Sequence, residues 1–206
     1  MTIKAVVFDI GNVFIGWQPE QFFDRVIGEE RRRSFFAAVD LHGMNDQIDA
    51  GAPFKETLEH TAKDNPDWAD ELQIWHDRWI EMAAPLIPHS ERLMYALQAK
   101  GIPVFSLTNF GIQTYDLAAK TYPFMRKFDH DFISGHMGVI KPAALIYQML
   151  EDGSGLSGDE LIFADDRTDN IVVAGARGWK THLFEHPQGW ADRLVAEGLL
   201  TEAEAK

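Results

Sequence analysis

Five short apolar runs, at residues 3–9, 102–108, 128–133, 160–165 and 179–184, constrain this chain more than any other feature. Several are almost continuously apolar, the pattern of strands in a parallel sheet covered by helices on both faces. Helical patterns separate them. Residues 89–100 carry Leu93, Met94 and Leu97 at helical spacing and stop at Gly101. Residues 142–151 open on Pro142, which suits a first helical position, and residues 167–177 end beside Gly178. This alternation predicts the α/β class with a doubly wound parallel sheet. A chain of 206 residues, 46% hydrophobic and 12% aromatic, can bury such a core.

Residues 16–88 break the alternation. They hold helical candidates near 19–39, 53–64 and 66–83 and no convincing strand. The pattern predicts a core domain of residues 1–15 and 89–206, with residues 16–88 inserted after the first strand as a helical cap. Its hinges are expected at Ile15-Gly16-Trp17 and Ala84-Pro85-Leu86-Ile87-Pro88. Trp68, Trp75 and Trp79 fall on one helix face and read as a cap core or cap–core interface. The run from Asp152 to Gly158 reads as a flexible connection, because it lacks the lysine and following helix of a phosphate loop.

Composition excludes several roles. A net charge of -13 argues against nucleic acid, whose phosphates need a basic footprint. The run Arg31-Arg32-Arg33 follows Glu29-Glu30 and reads as a solvated helix face. The absence of cysteine rules out disulfides and thiolate metal sites. No signal pattern precedes the first strand and no apolar stretch is long enough for a bilayer. The expectation is a soluble, cytoplasmic protein with no membrane partner. Its oligomeric state is not encoded in any pattern.

The chemistry lies at the strand ends. Ligands of open α/β sheets bind in the crevice beyond the carboxyl ends of the strands. Asp9 ends the first run with Gly11 two residues on, Thr108 ends the second, and Asp165-Asp166 end the fourth. Lys141 lies before a helix and can reach the same crevice. Carboxylates gathered there raise one another's pKa unless a cation offsets them. Lys141 supplies one charge and an oxygen-ligated Mg²⁺ supplies more. Such a site suits a small phosphorylated substrate whose oxygens are neutralised by metal and lysine and held by Thr108 and nearby amides. Asp9 is then a nucleophile that forms an aspartyl-phosphate for water to hydrolyse. Blander readings stand beside this one: an Asp pair that caps the following helix, and a surface lysine before a helix start. Asn170, four residues beyond Asp166, is expected one turn behind it, orienting that carboxylate.

The order Asp9…Thr108-Asn109…Lys141-Pro142…Asp165-Asp166 resembles the four motifs of the haloacid dehalogenase superfamily, and the match covers nearly the whole chain. The resemblance implies Asp9 as nucleophile and metal ligand, Thr108 and Asn109 as binders of the transferred group, and Lys141 as charge neutraliser. It implies Asp166 as a direct Mg²⁺ ligand, Asp165 acting through water, and a metal contact from the Gly11 carbonyl. Phe8-Asp9-Ile10-Gly11-Asn12-Val13 further resembles the subgroup containing bacterial α-glucose-1-phosphate phosphatases.

One departure matters. Phosphatases of the superfamily carry an aspartate where this chain has Gly11, and a glycine where it has Asn12. That aspartate protonates the leaving group and activates water; losing a placed acid/base costs about 10²–10⁴ in rate. Three accounts follow. The leaving group needs no proton, as for a halide in a 2-haloacid dehalogenase or for a sugar 1-phosphate. A histidine substitutes, with His42 on the cap facing substrate or His136 before Lys141 as candidates. Or catalysis is lost, and the protein is a regulatory binder of phosphorylated ligands.

Overall fold

The computed structural model describes residues 3–206. The first strand, β1 (Ala5–Phe8), is buried throughout, and its residues alternate between two cores. Val6 and Phe8 pack into one, Ala5 and Val7 into the other. After β1 the chain forms β2 (Ile15–Trp17) and then six helices. These are α1 (Pro19–Ile27), α2 (Glu29–Ala38), α3 (Leu41–Asp49), α4 (Phe54–Asp64), α5 (Ala69–Asp77) and the short α6 (Trp79–Met82). Strand β3 (Ala83–Leu86) leads into α7 (Pro88–Ala99), β4 (Val104–Thr108) and α8 (Ile112–Thr121). Next come β5 (His130–Ile133), the single turn α9 (Ser134–Met137) and α10 (Ala144–Ser154). The chain closes with β6 (Leu161–Asp165), α11 (Thr168–Ala176), β7 (Lys180–Leu183) and α12 (Pro187–Ala196).

All five expected runs are strands of one parallel sheet, ordered β5-β4-β1-β6-β7. From β1 the order runs outward through β4 and β5 on one side and through β6 and β7 on the other. The switch point therefore lies between β1 and β6, where Asp9 and Asp165-Asp166 emerge. No helix among the described residues is long and apolar enough to cross a membrane.

Several local expectations are corrected. The stretch 19–39 is two helices, broken where Gly28 takes a φ of 84°. Helix α10 starts at Ala144, two residues after Pro142. It runs to Ser154 and ends on left-handed Gly155; Ser157 and Glu160 then form a reciprocal capping box, so the expected flexible connection is a built turn. Helices α3, α8 and α12 were not legible as separate elements.

Residues 16–88 also contain strand. β2 and β3 pair as an antiparallel ribbon, with Ile15 opposite Leu86 and Trp17 opposite Ala83. Arms of three and four residues containing Gly16 and Pro85 carry too little β-propensity to be read from sequence. The two expected hinges are thus the two arms of one ribbon. Bonds from Ile87 N–H to the Phe14 carbonyl (2.7 Å) and from Gln18 N–H to the Met82 carbonyl (2.9 Å) extend it. All chain between the arms is helical or turn.

The end of α3 sits tightly on the sheet domain. Ser134 Oγ donates to the Asp49 carbonyl at 2.6 Å. A Cβ at Gly111 would lie 2.6 Å from Ile48 Cγ2, and one at Gly51 would lie 2.6 Å from the Gly135 carbonyl oxygen. Trp79 reaches across to Phe110, ring centroids 5.6 Å apart.

The ribbon leaves no room for a side chain at its tightest crossing. A Cβ at Gly16 would lie 2.8 Å from the Ala84 carbonyl oxygen and 3.2 Å from Pro85 Cδ. Backbone rather than a movable side chain must yield, so Gly16→Ala should destabilise the fold by about 1–3 kcal/mol. Thermal or urea unfolding measures this, and a variant as stable as the parent would show that the ribbon yields freely.

Candidate active site

Lys141 sits at the centre of the crevice and is 3% exposed. Its ammonium lies 2.9 Å from Asp9 Oδ1 and 2.6 Å from Asp165 Oδ2, and donates to the Leu107 carbonyl at 2.7 Å. One cation therefore joins the ends of β1, β4 and β6. Asn109 fixes the loop that delivers it: its Oδ1 accepts from Lys141 N–H at 2.7 Å and its Nδ2 donates to the Lys141 carbonyl at 3.0 Å. The Asn109 side chain is spent on this pairing, so the residue acts on Lys141.

Asp9 Oδ1 also accepts from the Ile10 N–H at 2.8 Å. Both of these contacts fall on one oxygen, which leaves Oδ2 available. Asp165 is fully buried and saturated, accepting from Arg167 N–H (2.8 Å) and from Asn170 Nδ2 (2.9 and 3.0 Å) besides Lys141. Asn170 thus holds Asp165, not Asp166 as its spacing suggested. The helix starts at Thr168, so a count of four from Asp166 begins outside it and gives no turn.

Asp166 is held instead by Asn12, whose Nδ2 donates to Asp166 Oδ2 at 2.9 Å while its Oδ1 accepts from Trp17 N–H at 2.9 Å. Asn12 has a φ of 54°, a left-handed conformation that asparagine tolerates better than other residues with a side chain. It stands where the superfamily's glycine is expected, keeps that backbone geometry, and adds a bridge between ribbon and carboxylate. Sequence reading treated it only as a departure. The signal was an Asn in a glycine position of a turn.

Asp9, Asp165 and Asp166 can each offer an oxygen within 4.8 Å of the others. Burial, with the repulsion of Asp165 and Asp166, pushes Asp9 up to about 7 despite Lys141. Asp166 is also raised, by burial first, against the lowering effect of Asn12. Burial alone would lower Lys141, but its two ion pairs outweigh that and it stays charged. Three carboxylates facing one ammonium remain short of positive charge. An all-oxygen donor set of this kind fits a hard divalent cation.

A cavity of about 780 Å³ opens above these groups, between the sheet domain and the helical segment. Asn12, Asn109, Lys141, Asp166, Arg167 and Asn170 line its floor. Trp17, Phe36, Val39, Trp75 and Trp79 form an apolar wall. Thr108, at the end of β4, is buried beneath. One face of α3 contributes His42, Asn45, Asp46 and Asp49. His42 thus reaches the cavity, whereas His136 is exposed on α9 and does not line it. Asp49 was missed altogether. Its signal was the repeat of apolar Leu41, Met44 and Ile48 with polar His42, Asn45 and Asp49.

Comparison with known proteins accords with this geometry. The sesquiterpene phosphatase astK of Aspergillus oryzae is 24% identical over 194 residues, covering 86% of this chain and 87% of its own. A HAD family enzyme of Bacteroides thetaiotaomicron superposes with a TM-score of 0.76 at 20% identity, over 94% of this chain and 99% of that one. The same enzyme in complex with magnesium and inorganic phosphate gives 0.70 at 20% identity, over 89% and 95%. An L-2-haloacid dehalogenase of Xanthobacter autotrophicus gives 0.62 at 18% identity, over 100% and 87%. These likenesses establish a shared fold. The family described as haloacid dehalogenase-like hydrolase matches residues 3–178, and the chain belongs to it.

Proposed function

We propose that this hydrolase is a Mg²⁺-dependent phosphatase acting on a small phosphorylated substrate through an aspartyl-phosphate on Asp9. The observation that carries the reading is the buried arrangement of Asp9, Lys141, Asp165 and Asp166 at the switch point. Asp9, Asp166 and the Gly11 carbonyl would hold the ion, with Asp165 acting through water, and the ion would supply positive charge to the phosphoryl oxygens. The free Asp9 Oδ2 attacks phosphorus while Lys141 keeps Oδ1 in place and offsets its charge. Thr108 at the end of β4 would help hold the transferred group, and Asn109 would keep Lys141 in place beside it. The helical segment 16–88 acts as the cap and closes over the leaving group. The magnesium–phosphate complex of the Bacteroides enzyme supports the ion and the phosphoryl group, within the same fold.

The cavity also bears on the body of the substrate. Its apolar wall of tryptophan and phenylalanine suits an ester with an apolar portion, in keeping with the name of the Aspergillus relative. A sugar phosphate would place its hydroxyls along the polar face of α3, where His42 stands at the outer end. Halide release has weaker support, because Asn12 and Asn170 are spent on orienting two acids that such a reaction does not use.

Phosphate release from a panel of prenyl, alkyl and sugar phosphates, with and without Mg²⁺, tests this reading. Metal-dependent release should fall to background in Asp9→Asn, whose isosteric amide cannot attack phosphorus. Turnover retained in that variant would exclude Asp9 as the nucleophile.

A second prediction follows from the charge deficit. The Asp9 carboxyl titrates near 7 in the fold and near its ordinary value when unfolded. Its contribution to stability is therefore complete at low pH and lost as the pH rises through about 7. In chelator, the melting temperature should drop as the pH rises from about 4 to about 7 and level off above that, by roughly 2–4 °C per kcal/mol lost. Asp9→Asn should shrink that drop and also shrink the rise that Mg²⁺ produces at pH 8. Identical pH slopes and Mg²⁺ responses in both proteins would contradict the account.

A further inference from the structure

Gly11 leaves the proposed reaction without the side chain that should protonate the leaving group. A replacement must face the cavity and be free of a cation partner. The cavity carboxylates can be sorted on these grounds. Asp166 is held by Asn12 at the metal shell. Asp40 caps α3 by accepting from Gly43 N–H at 2.9 Å. Glu20 lies 3.5 Å from Arg32 on the outer helices. Asp46 and Asp49 remain, one turn apart on the same face of α3.

Asp49 is the one docked against the sheet domain. It is the last residue of α3, where the helix meets Gly111 and the α9 turn, and Ser134 pins its carbonyl. Its carboxyl takes a hydrogen bond from Asn45 Nδ2 at 2.8 Å and lies beside the Gly111 N–H, and no cation pairs with it among the described residues. It is close enough to Asp9 for the two charges to repel. His42 lies seven residues back along α3, roughly 10 Å farther from this contact. That distance separates it from a proton transfer at the scissile bond.

We propose that Asp49 supplies from the cap the acid/base function that Gly11 cannot. The inference rests on the phosphatase reading above. In the first half-reaction Asp9 Oδ2 forms a bond to phosphorus as the bond to the ester oxygen breaks, and that oxygen takes the proton of the Asp49 carboxyl. In the second, water attacks the aspartyl-phosphate, gives its proton to the Asp49 carboxylate, and phosphate leaves Asp9. Asp49 ends protonated, as it began.

The environment favours the protonated form needed at the start. Burial first, then the Asp46 charge, and to a smaller degree Asp9, push the Asp49 carboxyl up to about 7, against the lowering effect of Gly111 and Asn45. The negative end of the α3 dipole acts in the same direction. An acid with that proton affinity works near neutrality.

The test compares two esters whose leaving groups differ in need of a proton, an alkyl phosphate and 2,4-dinitrophenyl phosphate. Asp49→Asn should lose about 10²–10⁴-fold in kcat/KM on the alkyl ester and only a few-fold on the dinitrophenyl ester. The fall of kcat/KM above about pH 7 on the alkyl ester should disappear in the variant. A Cβ at Gly11 meets no atom within 4 Å, so the backbone there admits the start of an aspartate side chain. Added to Asp49→Asn, Gly11→Asp should restore alkyl-ester turnover selectively. Equal losses on both esters would make Asp49 a structural or binding residue, and no loss on either would remove it from the reaction. In both cases wild-type release dependent on Asp9 leaves the phosphatase reading intact. A wild-type protein that frees phosphate from neither ester overturns both.

Discussion

A single ammonium group carries the organisation of this site. Lys141 is buried between Asp9 and Asp165, and it also takes up the carbonyl of Leu107. Burying these charges is tolerable only because each is paired and hydrogen-bonded; removing one partner of such a set commonly costs about 3–5 kcal/mol. The pairing also sets geometry. β1, β4 and β6 are neighbours in the sheet, and the ammonium joins their carboxyl ends, so Asp9, the acidic pair and the lysine keep fixed relative positions. Yet the balance remains acidic by design of the residues themselves. One positive charge faces three carboxylates, and Asp9 is held at a proton affinity far above the ordinary carboxylate range until more positive charge arrives. The site is thereby primed for a divalent cation. It does so in a chain whose net charge of -13 repels anions at long range, so attraction must be local.

Much of this was legible from sequence, for a physical reason. Strands buried on both faces read as unbroken apolar runs, and a carboxylate at the end of such a run has no structural purpose in the core. Asp9, Asp165 and the run before Thr108 are therefore visible one residue at a time. Lys141 was harder, since it lies in a turn, and only its place among acidic strand ends marked it. The ribbon of β2 and β3 escaped because its arms are short and its stability comes from close backbone approach at Gly16, which no periodicity records. Helix α3 escaped because Gly43 and its Asn and Asp residues weaken helix propensity, and its start depends on the Asp40 cap. Asn170 shows a different limit. Spacing placed it near the acidic pair, but which of two adjacent carboxylates it serves depends on where the helix begins, and that register is set by tertiary contacts.

The Gly11-Asn12 pair has a joint explanation. In the superfamily pattern an acid is followed by glycine; here glycine is followed by asparagine. Asn12 keeps the left-handed backbone that the turn requires and uses its amide to tie Asp166 to the first residues of the helical segment. The bond from Trp17 N–H to Asn12 means that the ribbon and the acidic shell share one side chain. A shift of the ribbon would pull on Asp166, and a cation drawing on Asp166 would brace the ribbon. The exchange of positions thus removes a carboxylate from the turn and replaces it with a mechanical link to the helical segment.

That link gives meaning to the glycine seam on the opposite side. Gly51 and Gly111 let the end of α3 approach the loops after β4 and β5 to distances that side chains would prevent, and Gly135 lets those two loops pack on each other. The helical segment is therefore held to the sheet domain through the ribbon beside Asn12 and through α3 beside Asp49, as well as by Trp79 against Phe110. Between them lies the cavity, with the charged floor on one side and the tryptophan wall on the other. A group on α3 can serve the phosphoryl centre only if its helix is docked closely, within hydrogen-bond reach of the ester oxygen or at most one bridging water away. Moving the acid/base from the nucleophile's own turn to the cap would then make proton transfer conditional on the cap being seated. An acid on the turn after Asp9 is present whether or not the cap is closed; an acid on α3 is present only when the seam is formed. The loss of the aspartate at Gly11 and the tightness of the seam are, on this reading, two parts of one arrangement.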